Sequence, residues 1–149
     1  MSVEYKSIFS LSNKTAFVLG GQGLLGTEIT KAVSAYDAKT IVLDVNEDDN
    51  CDLDDYIYKY FDCTDLDSME GNINSIIDKE GCPDIFINCS YPRTSDWVTN
   101  TFEDISLQSY QKNIDIHLNS FAWIARLIAN KIVDANKEGS IIQLGSIYG

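Results

Sequence analysis

The chain has 149 residues, 44% of them hydrophobic, and a formal net charge of −12 from 23 acidic and 11 basic side chains. A chain of this length makes one domain, and its apolar content excludes an intrinsically disordered protein. So acidic a surface repels phosphate backbones, which argues against nucleic-acid binding, and no apolar run approaches the ~18 residues that span a bilayer.

The first residues, Met1-Ser2-Val3-Glu4-Tyr5-Lys6, show no basic segment leading into an apolar core. No secretory signal is legible, and the cytoplasm is the expected location. Cys51, Cys63, Cys82 and Cys89 have no C-x-x-C spacing, so neither a zinc site nor a disulfide framework is expected, and no metal is. Cys63 and Cys89 sit in or beside strand patterns, where a thiol behaves as a small hydrophobe.

Thr15-Ala16-Phe17-Val18-Leu19 predicts a first strand that enters the turn Gly20-Gly21-Gln22-Gly23-Leu24-Leu25-Gly26. A helical pattern follows, then a second strand, Thr40-Ile41-Val42-Leu43, ending in Asp44. A strand that meets a helix through a glycine-rich turn can present backbone N–H groups to a diphosphate, and the helix N-terminus adds about half a positive charge. Asp44 falls 18 residues after Gly26, where a carboxylate accepts hydrogen bonds from adenosine ribose hydroxyls. Strand, turn, helix, strand and acid in that order predict a dinucleotide-binding βαβ unit. The glycines read G-x-x-G-x-x-G, and Thr27 stands where a P-loop needs lysine, which disfavours nucleoside-triphosphate hydrolysis.

The acidic run from Glu47 to Asp55 fails as an EF-hand: its sixth position from Asp48 is Leu53 and its twelfth is Lys59. It reads as a solvated loop. Tyr56-Ile57-Tyr58-Lys59-Tyr60-Phe61 predicts a third strand ending at Asp62. Thr64 is the expected cap of the next helix, whose Leu66, Met69, Ile73, Ile76 and Ile77 keep a 3.6 period until Gly81 and Pro83 stop it. Asp84-Ile85-Phe86-Ile87-Asn88 predicts a fourth strand, and residues 89–103, without periodicity, a loop.

A long helix is predicted over residues 106–135, with Tyr110, Ile114, Leu118, Phe121, Ala125, Leu127, Ile128 and Ile132 on its apolar face. Ser140-Ile141-Ile142-Gln143-Leu144 predicts a fifth strand. Strands alternating with helices imply a doubly wound α/β fold with a parallel sheet, right-handed crossovers and the order 3-2-1-4-5. The whole of residues 1–149 reads as one such domain, a three-layer α/β/α Rossmann fold incomplete at its C-terminus. The glycine turn, Asp44, Asp62-Cys63-Thr64-Asp65, Asn88-Cys89-Ser90-Tyr91 and Gly145-Ser146 all follow strands, so they are expected at one crevice along the carboxyl edge.

With these motifs the chain resembles the short-chain dehydrogenase/reductase family over residues 12–149. The resemblance implies that Gly20, Gln22, Leu24 and Leu25, with Gly23 and Gly26 of the same turn, hold the diphosphate of NAD(P). Asp62 and Cys63 would meet the adenine. Asn88, Cys89 and Ser90 stand where the family carries N-N-A-G, of which only Asn88 is kept. Ser146 matches the serine of the family's Asn-Ser-Tyr-Lys set, in which a tyrosine exchanges a proton with the substrate oxygen as hydride moves. The Tyr-x-x-x-Lys pair would fall beyond Gly149, so the chain reads as the N-terminal part of a protein of roughly 250 residues. Sliding the family's N-L-x-G-x-F onto His117-Leu118-Asn119-Ser120-Phe121-Ala122 puts His117, the one histidine, at the catalytic asparagine position; Asn113, one helical turn earlier, competes for it.

Asn88-x-x-Tyr91-Pro92-Arg93 with His117-Leu118 is also similar to oxidoreductases of flagellin modification and surface-polysaccharide synthesis, which implies a nucleotide-linked or amino sugar as substrate. Arg93 suits a phosphate or carboxylate of such a substrate, or solvent. The leading expectation is an NAD(H)-dependent oxidoreductase of a carbonyl or secondary alcohol. NADP is disfavoured because Asp44 would meet its 2′-phosphate and no base follows within residues 45–50. A sugar-nucleotide epimerase or dehydratase, whose turn shares the G-x-x-G-x-x-G spelling, and a non-catalytic nucleotide-binding protein are the alternatives. The resemblance implies that the full-length protein is a homodimer or homotetramer paired through the long helix, and in this chain that helix carries Phe121, Trp123, Ile124, Leu127 and Ile128, more apolar surface than one sheet face covers.

Overall fold

A computed structural model describes residues 5–47, 56–99, 101 and 103–145. A short helix, α1 (Tyr5–Ile8), precedes β1 (Thr15–Leu19), α2 (Leu24–Ala35) and β2 (Lys39–Asp44). Then come β3 (Tyr56–Tyr60), α3 (Leu66–Glu80), β4 (Ile85–Asn88), α4 (Leu107–Ile114), a π-helical segment (Asp115–Asn119), α5 (Ser120–Asp134) and β5 (Ser140–Gln143). The five strands form one parallel sheet in the order β3-β2-β1-β4-β5, as expected, and their ends agree with the sequence reading to within a residue or so. The turn of α1 carries no periodicity and was not anticipated. The solvated loop assigned to the acidic run falls largely outside the described residues.

Alternation along the strands separates two faces. Phe17, Leu19, Ile41, Leu43 and Phe86 point to one side, where Met69, Ile73 and Ile76 of α3 and Ile124, Leu127, Ile128 and Ile132 of α5 close over them in a single buried cluster. Val18 and Val42 face the other side, towards α2, which packs on β1 and β2. At the edge opposite the carboxyl ends, the buried Asp84 carboxylate ties three segments together. It accepts from the Thr15 N–H at 2.9 Å and pairs with Lys137 at 3.2 Å and Lys14 at 3.7 Å. Burial alone would raise its pKa, but these partners outweigh it and hold the carboxyl below its ordinary range.

Three local expectations are corrected. The cap of α3 is Asp65, whose carboxylate accepts from the Ser68 N–H and hydroxyl, whereas Thr64 donates to Asp62 in the turn before it. The long helix is continuous over the expected span, but the π segment interrupts its α-helical pattern. Its buried stripe also differs. Leu118, Tyr110 and Ile114 are exposed, at 67%, 52% and 37%, and Ile116 is buried in their place. The buried line runs through Ser109, Ile116 and Ser120. The Ser109 hydroxyl donates to Asp96, and that of Ser120 to the Ile116 carbonyl, so two polar residues sit inside where a hydrophobic pattern cannot register them.

The apolar surplus assigned to α5 is smaller than expected. Ile124, Leu127 and Ile128 are buried under the sheet, Phe121 packs partly against the core, and Trp123 alone of the five is exposed, with Arg126 lying 4.6 Å over its ring.

Candidate functional site

The carboxyl ends of β1, β2, β3 and β4 open into a crevice of about 1090 Å³. Its floor is the turn from β1 into α2. Gly20 has φ +74°, and a Cβ there would lie 2.6 Å from the backbone of Ser90. Gly26 sits in the first turn of α2 so close beneath the Gly20 carbonyl that a Cβ would lie 2.0 Å from its oxygen. These two contacts demand glycine. They bring the turn against the loop after β4 and α2 against β1, which leaves the backbone bare towards the crevice. The first bond inside α2 runs from the Thr27 N–H to the Gly23 carbonyl, so the N–H groups of Leu24 and Leu25 precede it and face no helical acceptor.

Asp44 closes β2 with both carboxylate oxygens engaged. Oδ2 accepts from the Gln22 N–H at 3.0 Å and Oδ1 from the Asn46 N–H at 3.1 Å. Each oxygen keeps a lone pair for a hydroxyl donor, and the carboxylate cannot rotate away from the glycine turn. Gln22 is held from its other end, its Nε2 donating to the Tyr56 hydroxyl at 2.9 Å. The Tyr58 hydroxyl donates to the Asp44 carbonyl, and burial, with Glu47 and Asp44 close by, pushes its pKa up.

Past β3, Asp62 accepts from the N–H and hydroxyl of Thr64 at 2.8 and 2.7 Å, a turn that brings Asp62, Cys63 and Thr64 to the crevice wall. Past β4, Asn88 is buried behind that wall. Its Oδ1 accepts from the Ser90 N–H at 2.9 Å and hydroxyl at 2.6 Å, which shapes the segment carrying Cys89 and Ser90 into the crevice. Burial raises the Cys63 thiol pKa despite its contact with the Ser90 hydroxyl, and pushes the Cys89 thiol up to about 11. Both are protonated, unreactive wall groups at neutral pH.

Of the residues singled out in the sequence, Gly20, Gln22, Gly23, Leu24 and Leu25 line the crevice together with Asp44, Asp62, Cys63, Cys89 and Ser90. Gly26 and Asn88 stand behind it and shape it. Ser146 lies outside the described residues. His117 and Asn113 line no part of the crevice, and their surroundings differ. Asn113 is bound to its own helix, its Nδ2 donating to the Ser109 carbonyl at 2.9 Å and, at 3.4 Å, to the Thr94 hydroxyl. His117 rises from the π segment into the rings of Tyr91, Trp97 and Phe121, with centroids 5.1, 6.3 and 5.9 Å away. Burial lowers its pKa, opposed by a hydrogen bond to the Pro92 carbonyl, so its ring is neutral at pH 7.

Sequence reasoning missed Val45, Glu47 and Tyr60 as wall residues, and Trp97 as a neighbour of His117. Tyr60 was legible only as a strand residue. Trp97 lies in an aperiodic segment where nothing signals a partner.

A model of the short chain dehydrogenases matches residues 14–149. The chain belongs to the short-chain dehydrogenase family. Among curated relatives of this chain, the post-translational flagellin modification protein A of Campylobacter coli is 27% identical over 148 residues, covering 93% of this chain and 57% of that protein. The dihydropteridine reductase of Dictyostelium discoideum is 30% identical over 135 residues, covering 90% and 54%. The crystal structure of a short chain dehydrogenase from Leptospira borgpetersenii, with bound NAD+, superposes with a TM-score of 0.80 at 21% identity, over 99% of this chain and 56% of that one. The chain thus spans about half the length of the relatives it matches.

Proposed function

We propose that this chain is the dinucleotide-binding part of an NAD(H)-dependent oxidoreductase. Its reaction is hydride transfer between nicotinamide and a carbonyl or secondary alcohol, on a sugar in surface-glycan synthesis. One observation carries the cofactor assignment: the Asp44 carboxylate, fixed by two backbone N–H groups beside the glycine turn, keeps acceptor capacity for ribose hydroxyls. Arg93 alone is basic among the described residues that line the crevice, and it lies past β4, away from Asp44, so no base among them would offset a 2′-phosphate. NAD, when bound, supplies the hydride acceptor and NADH the donor.

In that reading the Gly20-to-Gly26 turn binds the diphosphate, Asp44 the adenosine ribose, and Asp62 and Cys63 the adenine. Asn88, Cys89 and Ser90 shape the wall between turn and nicotinamide. Ser146 orients the substrate oxygen. His117 stands in the place of the family asparagine, with Asn113 bound to its own helix instead. The sugar assignment is supported by the flagellin modification relative and by the Tyr91-Pro92-Arg93 segment at the crevice. Assembly as a dimer or tetramer belongs to the full-length protein. Titration of that protein with NADH and NADPH, followed by quenching of tryptophan fluorescence, tests the proposal. NADH is expected to bind at least tenfold more tightly, about 1.4 kcal/mol. Equal or reversed affinities would overturn it.

A further inference from the structure

The loop after β4 carries Tyr91 and Arg93 on the crevice wall and Trp97 beside them, and none of the three is assigned above to the dinucleotide. Tyr91 and Trp97 meet edge to face, 5.8 Å apart at 89°, and remain 54% and 43% exposed. Their rings offer an apolar contact surface with a polar edge. His117 supports both from beneath, and Phe121 backs His117. The histidine is neutral, and its Nε2 is buried with no hydrogen-bond partner. His117 therefore brings no charge to the base of the two rings.

Arg93 adds charge to that surface. Its guanidinium lies 5.5 Å over the Tyr91 ring, which orients it, and no carboxylate pairs with it among the described residues. That is unusual in a chain with a net charge of −12. The crevice itself is divided by charge. Asp44, Glu47 and Asp62 line the part after β2 and β3, while Arg93 is the one base on its walls among the described residues. An anion is repelled from the first part and attracted to the second.

We propose that Arg93, Tyr91 and Trp97 form a substrate subsite for an anionic sugar. A phosphate or carboxylate pairs with the Arg93 fork while the apolar C–H face of the sugar ring rests against Tyr91 and Trp97. The inference rests on the oxidoreductase reading, because the subsite adjoins the crevice assigned to the dinucleotide.

Calorimetry on the full-length protein, with and without NADH, tests both readings separately. The probes are glucose, glucuronate and glucose 1-phosphate, the last two distinguishing carboxylate from phosphate. At least one of the anionic sugars is expected to bind tenfold or more tightly than glucose. Arg93→Gln should bring that sugar to the level of glucose, with a loss at least fivefold greater than any loss for NADH. Trp97→Ala should weaken charged and neutral sugars by the same factor. Equal binding of the three probes, no binding of any, or an anion preference that survives Arg93→Gln would overturn the subsite. A parallel loss of NADH and anionic sugar in Arg93→Gln would overturn it too, by assigning Arg93 to the cofactor. Failure of NADH to bind the unaltered protein sinks the dinucleotide reading instead, whatever the sugars do.

Discussion

At the end of the crevice built after β1, β2 and β3, backbone groups and carboxylates hold one another; at the end built after β4, aromatic rings do. In the first, the Gln22 and Asn46 N–H groups lock Asp44, the Thr64 N–H and hydroxyl lock Asp62, and Gly26 lies directly under the Gly20 carbonyl. In the second, Tyr91 meets Trp97 and His117 edge to face and Trp97 lies tilted against His117, with Arg93 laid over Tyr91. Backbone geometry admits few replacements, since adding one carbon to a close contact displaces main chain. Ring-edge packing is looser, because a side chain can be exchanged while the loop keeps its course. The first end therefore suits a ligand shared by a family, and the second a ligand that distinguishes its members.

The comparison can be broken at its strongest point first. Gly26→Ala puts a carbon 2.0 Å from the Gly20 oxygen, so the turn has to move. A loss of about 3 kcal/mol is expected, at the upper end for overpacking, with cofactor binding lost alongside it. Chemical denaturation of the full-length protein measures the first and NADH titration the second; a stable, cofactor-binding variant would show that the turn is not governed by its backbone.

Asp44→Ala should act on selectivity rather than stability. Removing the carboxylate would take away the proposed repulsion of a 2′-phosphate and the proposed bonds to the ribose, so the expected preference for NADH over NADPH, about 1.4 kcal/mol or more, should narrow towards zero. Parallel titrations read it. An unchanged ratio would place the discrimination elsewhere.

At the aromatic end, Trp97→Ala removes edge contacts with Tyr91 and His117 from a half-exposed position. The expected cost is about 1 kcal/mol, well below that of the glycine change. A loss as large as that of Gly26→Ala, seen in the same denaturation assay, would erase the distinction between the two ends.

The smallest effect is a pH dependence. Burial holds the His117 pKa below 6.5 in the folded protein, so as pH falls through 6.5 the unfolded chain takes up a proton first. Stability is therefore lost on acidification until the folded ring also protonates, and the loss is absent above the unfolded pKa. His117→Gln should flatten this part of the profile. Urea midpoints of both proteins at about pH 8 and about pH 5.5 give the comparison. An identical decline in the two would mean that the ring is not held neutral by its surroundings.

Much of this was legible in the order of residues. The strand, glycine turn, helix, strand and acid at residues 15–44 determined a βαβ unit and its ligand-facing edge, because backbone freedom at Gly20 and Gly26 and the burial of alternating strand residues are local properties. The strand order followed from right-handed crossovers and short connections. What the tertiary structure alone decided lies where side chains meet across distance. Asp65 rather than Thr64 caps α3, since Thr64 is already committed to Asp62. Ser109, Ile116 and Ser120 form the buried line of the long helix, because serine hydroxyls find partners there and the π segment interrupts the period. His117 stands against Tyr91 and Trp97, across a loop with no periodic signal. Local patterns encode the backbone's shape, whereas a polar group's place inside or a ring's neighbours depend on partners that only the folded chain brings within reach.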